Sequence, residues 1–177
     1  MAKFYITTSI PYANSAPHVG HILDPLIADV LSRYRRMKGD NVRFLVGTDE
    51  HGAKIVRKAE EVGKTPQELV DENSKKFREM HELMNIRWDD FIRTSDQKRH
   101  WPGAQKIWRE LKESGDIYWK KYEGLYCVGH EAFITEKDLV NGKCQDHQKK
   151  PEIVNEENWF FRLSKYSKQI EKAITSD

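Results

Sequence analysis

Apolar positions along this chain switch period repeatedly, from two to three-and-four and back. Phe4-Tyr5-Ile6-Thr7-Thr8-Ser9-Ile10 is a β-prone run. Ile22, Leu23, Leu26, Ile27, Val30, Leu31 and Tyr34 then recur at helical spacing and share one side of a helix over residues 22–38. After the turn Gly39-Asp40-Asn41, the run Val42-Arg43-Phe44-Leu45-Val46 is short and apolar enough for a buried parallel strand. It ends in Gly47-Thr48-Asp49-Glu50-His51-Gly52. Residues 53–62 read as a helix stopped by Gly63. Thr65-Pro66-Gln67-Glu68 is a capping box with proline in the first turn, and it predicts a long helix to about Met84. Phe91-Ile92-Arg93-Thr94 is a third short strand, followed by a helix from about Lys98 to Glu113. Strand–helix alternation of this kind predicts an α/β fold with a parallel, doubly wound, Rossmann-like sheet.

From Gly115 the pattern changes. Ile117 to Val128 is aromatic and hairpin-like and leads into a Cys/His-containing excursion that ends near Pro151; strand and then helix return over 152–177. The expected division is therefore a first region, residues 1–114, and an inserted region, 115–177, with a knuckle at about 127–147. One local conflict stands at Asp24-Pro25, which by local rules would cap and open a helix. A helix opening at Gly20 would instead put Pro25 near the end of its first turn, where the missing donor costs little. Either start leaves His21 at a helix beginning.

Composition narrows the setting. Hydrophobic residues make 38% and charged residues 33% of the 177 positions, which is polar for a compact globule. That balance fits either a helix-rich charged surface or a piece of something larger that supplies apolar partners. Thirty basic against 28 acidic residues give a net charge of +2, so no global basic field advertises nucleic acid. Arg33, Arg35, Arg36 and Lys38 cluster at a helix C-terminus, where cations complement the dipole. They, or Lys149-Lys150, would otherwise suit RNA phosphates. No signal peptide, Arg-rich presequence or membrane-length apolar run is found, so a cytoplasmic protein without a membrane partner is expected.

The chemistry concentrates in Pro11-Tyr12-Ala13-Asn14-Ser15-Ala16-Pro17-His18-Val19-Gly20-His21-Ile22-Leu23-Asp24. Strand, short loop and helix start are where an α/β fold cradles phosphate, because the first helical N–H groups are unpaired and the dipole is positive there. Two imidazoles around a glycine add donors beside a backbone that a nucleotide can approach closely. A second constellation is Cys127-x2-His130, thirteen residues, then Cys144-x2-His147. Two ligand pairs on two knuckles suit tetrahedral zinc. An empty knuckle held by packing and an oxidised Cys127–Cys144 pair are the competing readings.

Pro11-Tyr12-Ala13-Asn14, His18-Val19-Gly20-His21 and Gly47-Thr48-Asp49-Glu50-His51-Gly52 together resemble the catalytic half of the methionyl-tRNA synthetases, a class I aminoacyl-tRNA synthetase family. The likeness continues through Phe91–Asp96, Tyr122–Cys127 and Glu157–Leu163. It implies that methionine and ATP, with Mg, form methionyl-adenylate, which then passes to tRNA(Met). It implies His18 and His21 as the catalytic donors at the α-phosphate, and His18, Gly20 and His21 as the ATP site. Ser9, Ile10 and Tyr12 would line the methionine side chain, Asp49 would hold its ammonium group, and His51 and Asn14 would stand behind them. It also implies a structural zinc on Cys127, His130, Cys144 and His147, with His130 where the family usually has cysteine. The Lys-Met-Ser-Lys-Ser-type loop of the class does not occur in the 177 residues, so the chain is expected to be an N-terminal part of a synthetase. Two other classes remain at this stage: a small nucleotidyltransferase with the same His-x-Gly-His motif, and a non-catalytic module that binds tRNA or protein.

Overall fold

Three parallel strands in the order β1-β2-β3 carry the first part of the molecule: β1 (Lys3–Thr7), β2 (Asn41–Thr48) and β3 (Asp90–Arg93). The computed structural model describes residues 1–130 and 132–176, without the side chain of Glu156. Helix α1 (Leu23–Met37) connects β1 to β2; α2 (Ala53–Glu61) and α3 (Pro66–Leu83) connect β2 to β3. Ala28 of α1 and Phe77 of α3 share one buried cluster with Phe44, Val46 and Phe91 of the strands. Both crossovers therefore cover the same face of the sheet. A sheet that steps one way under helices on one face is one wound half of a Rossmann-like fold. A second cluster, Ile55, Ala59, Leu69 and Val70, joins α2 to α3 and takes in Ala13 from the loop after β1.

The predicted elements form, with differences at their ends. Thr65 and Glu68 make the reciprocal capping box that starts α3. The region around residue 20 combines the two starts proposed for it: a 3-10 turn over Val19–His21, then α1 from Leu23 with Pro25 in its first turn. Helix α4 begins at Trp101 (Trp101–Glu113), because residues 96–100 form a turn in which Asp96 accepts from the N–H groups of Lys98 and Arg99 at 2.9 and 3.0 Å.

Helix α1 inverts the usual amphipathic arrangement. Its buried positions are Pro25, Ala28, Asp29 and Ser32. Leu23, Ile27, Val30, Leu31 and Tyr34 are 44–64% exposed. The helix is held inward by small residues and charge pairs. Asp29 accepts from Arg33 Nε at 2.6 Å and from the backbone N–H of Arg87 at 2.9 Å, while Arg36 donates to Ser32 Oγ and Asp89. The helix-end arginines thus bond to side chains and backbone of their own unit.

The chain forms two compact units, Met1–Gln105 and a second beginning at Lys106. In the second, β4 (Ile117–Cys127) pairs antiparallel with β8 (Glu152–Phe161) and, on its other edge, with β5 (Ala132–Ile134). A two-stranded ribbon, β6 (Leu139–Val140) and β7 (Lys143–Cys144), follows β5. Trp159 lies opposite Trp119 and stacks edge-on against both Trp119 and Trp108. Buried Asp116 accepts from Lys165, Ser114 and Tyr166, and these bonds, that of Lys165 foremost, hold its carboxyl down at about 2. They tie the start of β4 to the 3-10 turn Leu163–Tyr166, which leads into α5 (Ser167–Thr175).

Candidate functional site

The His-Val-Gly-His turn is built by its own histidines. The backbone N–H of Gly20 donates to His18 Nδ1 at 3.1 Å, and the backbone N–H of His18 donates to His21 Nδ1 at 3.1 Å. With both Nδ1 atoms accepting, each neutral ring carries its proton on Nε2. The motif thus presents two N–H donors on rings whose centroids lie 3.9 Å apart. Gly20 is required for this: a Cβ there would stand 2.9 Å from His18 Cε1. Partial burial, and then the neighbouring charge of His18, lower the pKa of His21 and favour its neutral form.

A cavity of about 90 Å3 opens beside the turn, at the carboxyl ends of β1 and β2, where open α/β sheets receive ligands. Its walls include Ser9, Pro11, Gly20, His21, Gly47 and His81. Ser9 is fixed by two hydrogen bonds, from its N–H and its hydroxyl, to Asp24 Oδ2 at 2.8 and 2.6 Å. Gly47 has no alternative: a Cβ there would lie 2.3 Å from the carbonyl oxygen of Ile92 and 3.2 Å from Ile10 Cγ2.

Tyr12 and Asp49 come together next to this cavity without bordering it. The Asp49 N–H donates to the Pro11 carbonyl and the Ala13 N–H to the Asp49 carbonyl, both at 2.9 Å, which extends the parallel pairing one step beyond the sheet. Asn73 of α3, itself buried, donates to the Ala13 carbonyl at 2.8 Å and anchors the loop from beneath. Tyr12 is 40% exposed, with the Lys54 ammonium 5.5 Å over its ring.

Behind Asp49 lies a polar network that the sequence did not disclose. Glu50 has no exposed side-chain surface; its Oε1 accepts from Thr48 Oγ1 at 2.6 Å and from Arg93 Nε at 2.7 Å, and its Oε2 accepts from Ser95 Oγ. Its carboxylate therefore grips both residues flanking Thr94. The Thr94 hydroxyl accepts from the Glu50 N–H at 2.8 Å and reaches Asp49 Oδ1 at 3.4 Å. The Thr94 carbonyl accepts from His51 Nε2 and Trp101 Nε1, each at 3.1 Å. Arg93 also bonds Asp71 of α3 at 2.5 Å. Burial works against the guanidinium charge, but the bonds to Glu50 and Asp71 outweigh it and raise the Arg93 pKa. The signal for this cluster was present in Gly47–Gly52 and Phe91–Asp96, but only the paired register of β2 and β3 joins the two runs.

The second predicted constellation also assembles. Cys127 ends β4, Cys144 ends β7, and each histidine stands in the turn that follows. The four donor atoms lie within 4.8 Å of one another. Three sulfur-to-Nδ1 separations are short: Cys127–His147 at 3.6 Å, Cys144–His130 at 3.6 Å and Cys144–His147 at 3.5 Å. A tetrahedral zinc with ordinary bond lengths puts sulfur and nitrogen about 3.5 Å apart, so the donor set fits that ion. The backbone N–H of His130, directed at Cys127, lowers the pKa of that thiol, which favours the ligating thiolate. Both cysteines are free, so no disulfide closes the knuckle. Gly129 gives His147 its place, since a Cβ there would meet the ring at 2.3 Å.

Residues 4–147 match the family model described as tRNA synthetases class I (M). The chain belongs to this family. It is 45% identical over 180 residues to "Methionine--tRNA ligase 1" of Bacillus cereus, covering 96% of this chain and 27% of that protein. It is 45% identical to the methionine–tRNA ligase of Clostridium perfringens, covering 94% and 26% respectively. A crystal structure of Mycobacterium tuberculosis methionyl-tRNA synthetase bound by methionyl-adenylate superposes on 99% of this chain with a TM-score of 0.90 and 37% identity, and this chain covers 36% of it. The chain thus spans about a quarter of the length of the curated relatives it matches. No helix among the described residues is long and apolar enough to cross a membrane.

Proposed function

We propose that this chain is the amino-acid-activating part of a methionine–tRNA ligase, and that with the rest of such an enzyme it forms methionyl-adenylate and passes the methionyl group to tRNA(Met). One observation carries the reading: the backbone pairing that lays Tyr12 against Asp49, on a chain 37% identical to a synthetase solved with methionyl-adenylate. Asp49 holds the methionine ammonium group, and Tyr12, Ile10 and Ser9 form the wall for the thioether side chain. ATP lies against Gly20, with the Nε2–H groups of His18 and His21 directed at its α-phosphate. The methionine carboxylate oxygen bonds to the α-phosphorus as the bond to the leaving pyrophosphate breaks; Mg bound with the ATP would supply charge neutralisation for that leaving group. Negative charge that grows on the α-phosphate oxygens is met by fixed donors, so positioning and charge stabilisation supply the catalysis and no general base is needed.

Residues 1–114 form the first half of the catalytic domain in this reading and 115–177 its connective insert. Cys127, His130, Cys144 and His147 hold a structural zinc, whose four protein ligands leave no position open for chemistry. The expected location is the cytoplasm.

The test is calorimetric titration of the chain with methionine and with a non-hydrolysable sulfamoyl analogue of methionyl-adenylate. Saturable binding that is lost in Asp49→Asn and weakened in Tyr12→Ala supports the assignment. Absence of any response to both ligands, together with retained binding of tRNA, would show a non-catalytic module instead.

A further inference from the structure

We propose that Asp146 is a positioning residue for the metal knuckle, holding the His130 ring so that its Nδ1 faces the ion. The proposal rests on the zinc reading given above. His130 Nε2 lies 2.9 Å from Asp146 Oδ2, while Nδ1 of the same ring lies 3.6 Å from Cys144 Sγ. One ring nitrogen is thus committed to a carboxylate and the opposite one to the donor cluster. That is the arrangement in which an outer carboxylate fixes the tautomer of a ligating imidazole and makes its other nitrogen a better donor.

Two features make the pairing specific to this chain. Asp146 belongs to the second knuckle and His130 to the first, so the bond spans the two turns that must stay together for four donors to meet. His130 also stands where the resembling family usually carries cysteine. A thiolate brings its own negative charge and has one donor atom. An imidazole is neutral and must be aimed, and Asp146 supplies the aim.

The competing description is an ordinary surface ion pair, because the Asp146 and His130 side chains are 69% and 38% exposed. Such pairs change folding stability little, so folding stability does not separate the two descriptions, and metal affinity does. Zinc affinity of the purified chain is measured by competition with a chromophoric chelator, and cobalt substitution reads the ligand set from its visible spectrum. Asp146→Ala is expected to weaken zinc binding about tenfold, with a tetrahedral thiolate–cobalt spectrum retained because all four ligands remain. In a His130→Cys background, whose thiolate needs no partner, Asp146→Ala is expected to leave affinity unchanged. Equal losses in both backgrounds, or no loss in the wild-type chain, would overturn the positioning role. A wild-type chain that binds zinc no better than Cys144→Ser would overturn the metal reading itself.

Discussion

Arg93→Ala should cost far more than a partly exposed arginine ordinarily does, and the reason is Glu50. The Glu50 carboxylate has no exposed surface and receives one cationic donor, Arg93 Nε at 2.7 Å, along with the hydroxyls of Thr48 and Ser95. Truncation at position 93 leaves that carboxylate buried with neutral donors only. Removing one partner of a buried pair costs about 3–5 kcal/mol. The lost bond to Asp71 adds little, because Asp71 is 52% exposed on its side chain. About 3 kcal/mol is the expected total, more than a hundredfold in the folding equilibrium. Arg93→Lys should fall between, since one ammonium cannot fork between Glu50 and Asp71 as the guanidinium does.

Urea unfolding supplies the assay, followed by circular dichroism and by amide exchange at the ends of β2 and β3. Exchange is needed because the chain has two compact units and a single global transition is not assured. Glu50→Gln in the Arg93→Ala background removes the uncompensated charge, so the double variant should be more stable than Arg93→Ala alone. A loss below 1 kcal/mol for Arg93→Ala, or a double variant worse than either single one, would refute the buried-charge argument. Ligand binding offers an independent reading of the same network. Thr94 loses its Arg93 anchor in these variants, so methionine binding, as proposed for this site, should weaken even under conditions where the fold is intact.

Gly20→Ala should leave stability within about 1 kcal/mol, because the exposed His18 ring can swing away from the new Cβ. It should nonetheless reduce binding of the adenylate analogue about tenfold or more in calorimetry, since the swing breaks the reciprocal cap that aims both imidazoles. Burial lowers the pKa of His81 and, with the charge of His18, that of His21. A histidine with a depressed folded pKa contributes stability that is present above the unfolded value near 6.5 and is lost as pH falls through the folded one. The urea midpoint should therefore drop as pH falls below about 6.5. His81 Nδ1 is buried with no hydrogen-bond partner among the described residues, so His81→Leu should flatten that decline; an unchanged slope would exclude His81 as its source. Val30→Gln should alter stability by less than about 0.5 kcal/mol in denaturant unfolding, because Val30 is 58% exposed; a loss above 1.5 kcal/mol would mean that the α1 stripe is core.

How far the sequence could be read follows from the range of the interaction that decides each feature. Local chemistry was legible: the Thr65–Glu68 box, the turn glycines, the His-Val-Gly-His run and the spacing of the Cys/His pairs are each settled within a few residues. The α1 stripe was legible only as a stripe, for the same reason. Periodicity reports which residues share a face, and it is silent on whether that face meets the sheet. Here Ala28 and Ser32 let the helix approach closely while Asp29, Arg33 and Arg36 make its bonds, so a polar face won the interior. The Glu50–Arg93 pair lies at the other extreme, 43 residues apart in the chain and 2.7 Å apart in space. Nothing local to Gly47–Gly52 says that Glu50 is buried while Asp49 stays half-buried. The alternation of a strand end does say it, once the β2–β3 register is known: adjacent side chains point to opposite sides. In that register, consecutive carboxylates take opposite settings: Asp49 stays half-buried beside Tyr12, and Glu50 is buried against Thr48, Arg93 and Ser95. The charge that would make Glu50 costly is offset by an arginine from the neighbouring strand, and the pair ties the ends of β2 and β3 together behind Asp49.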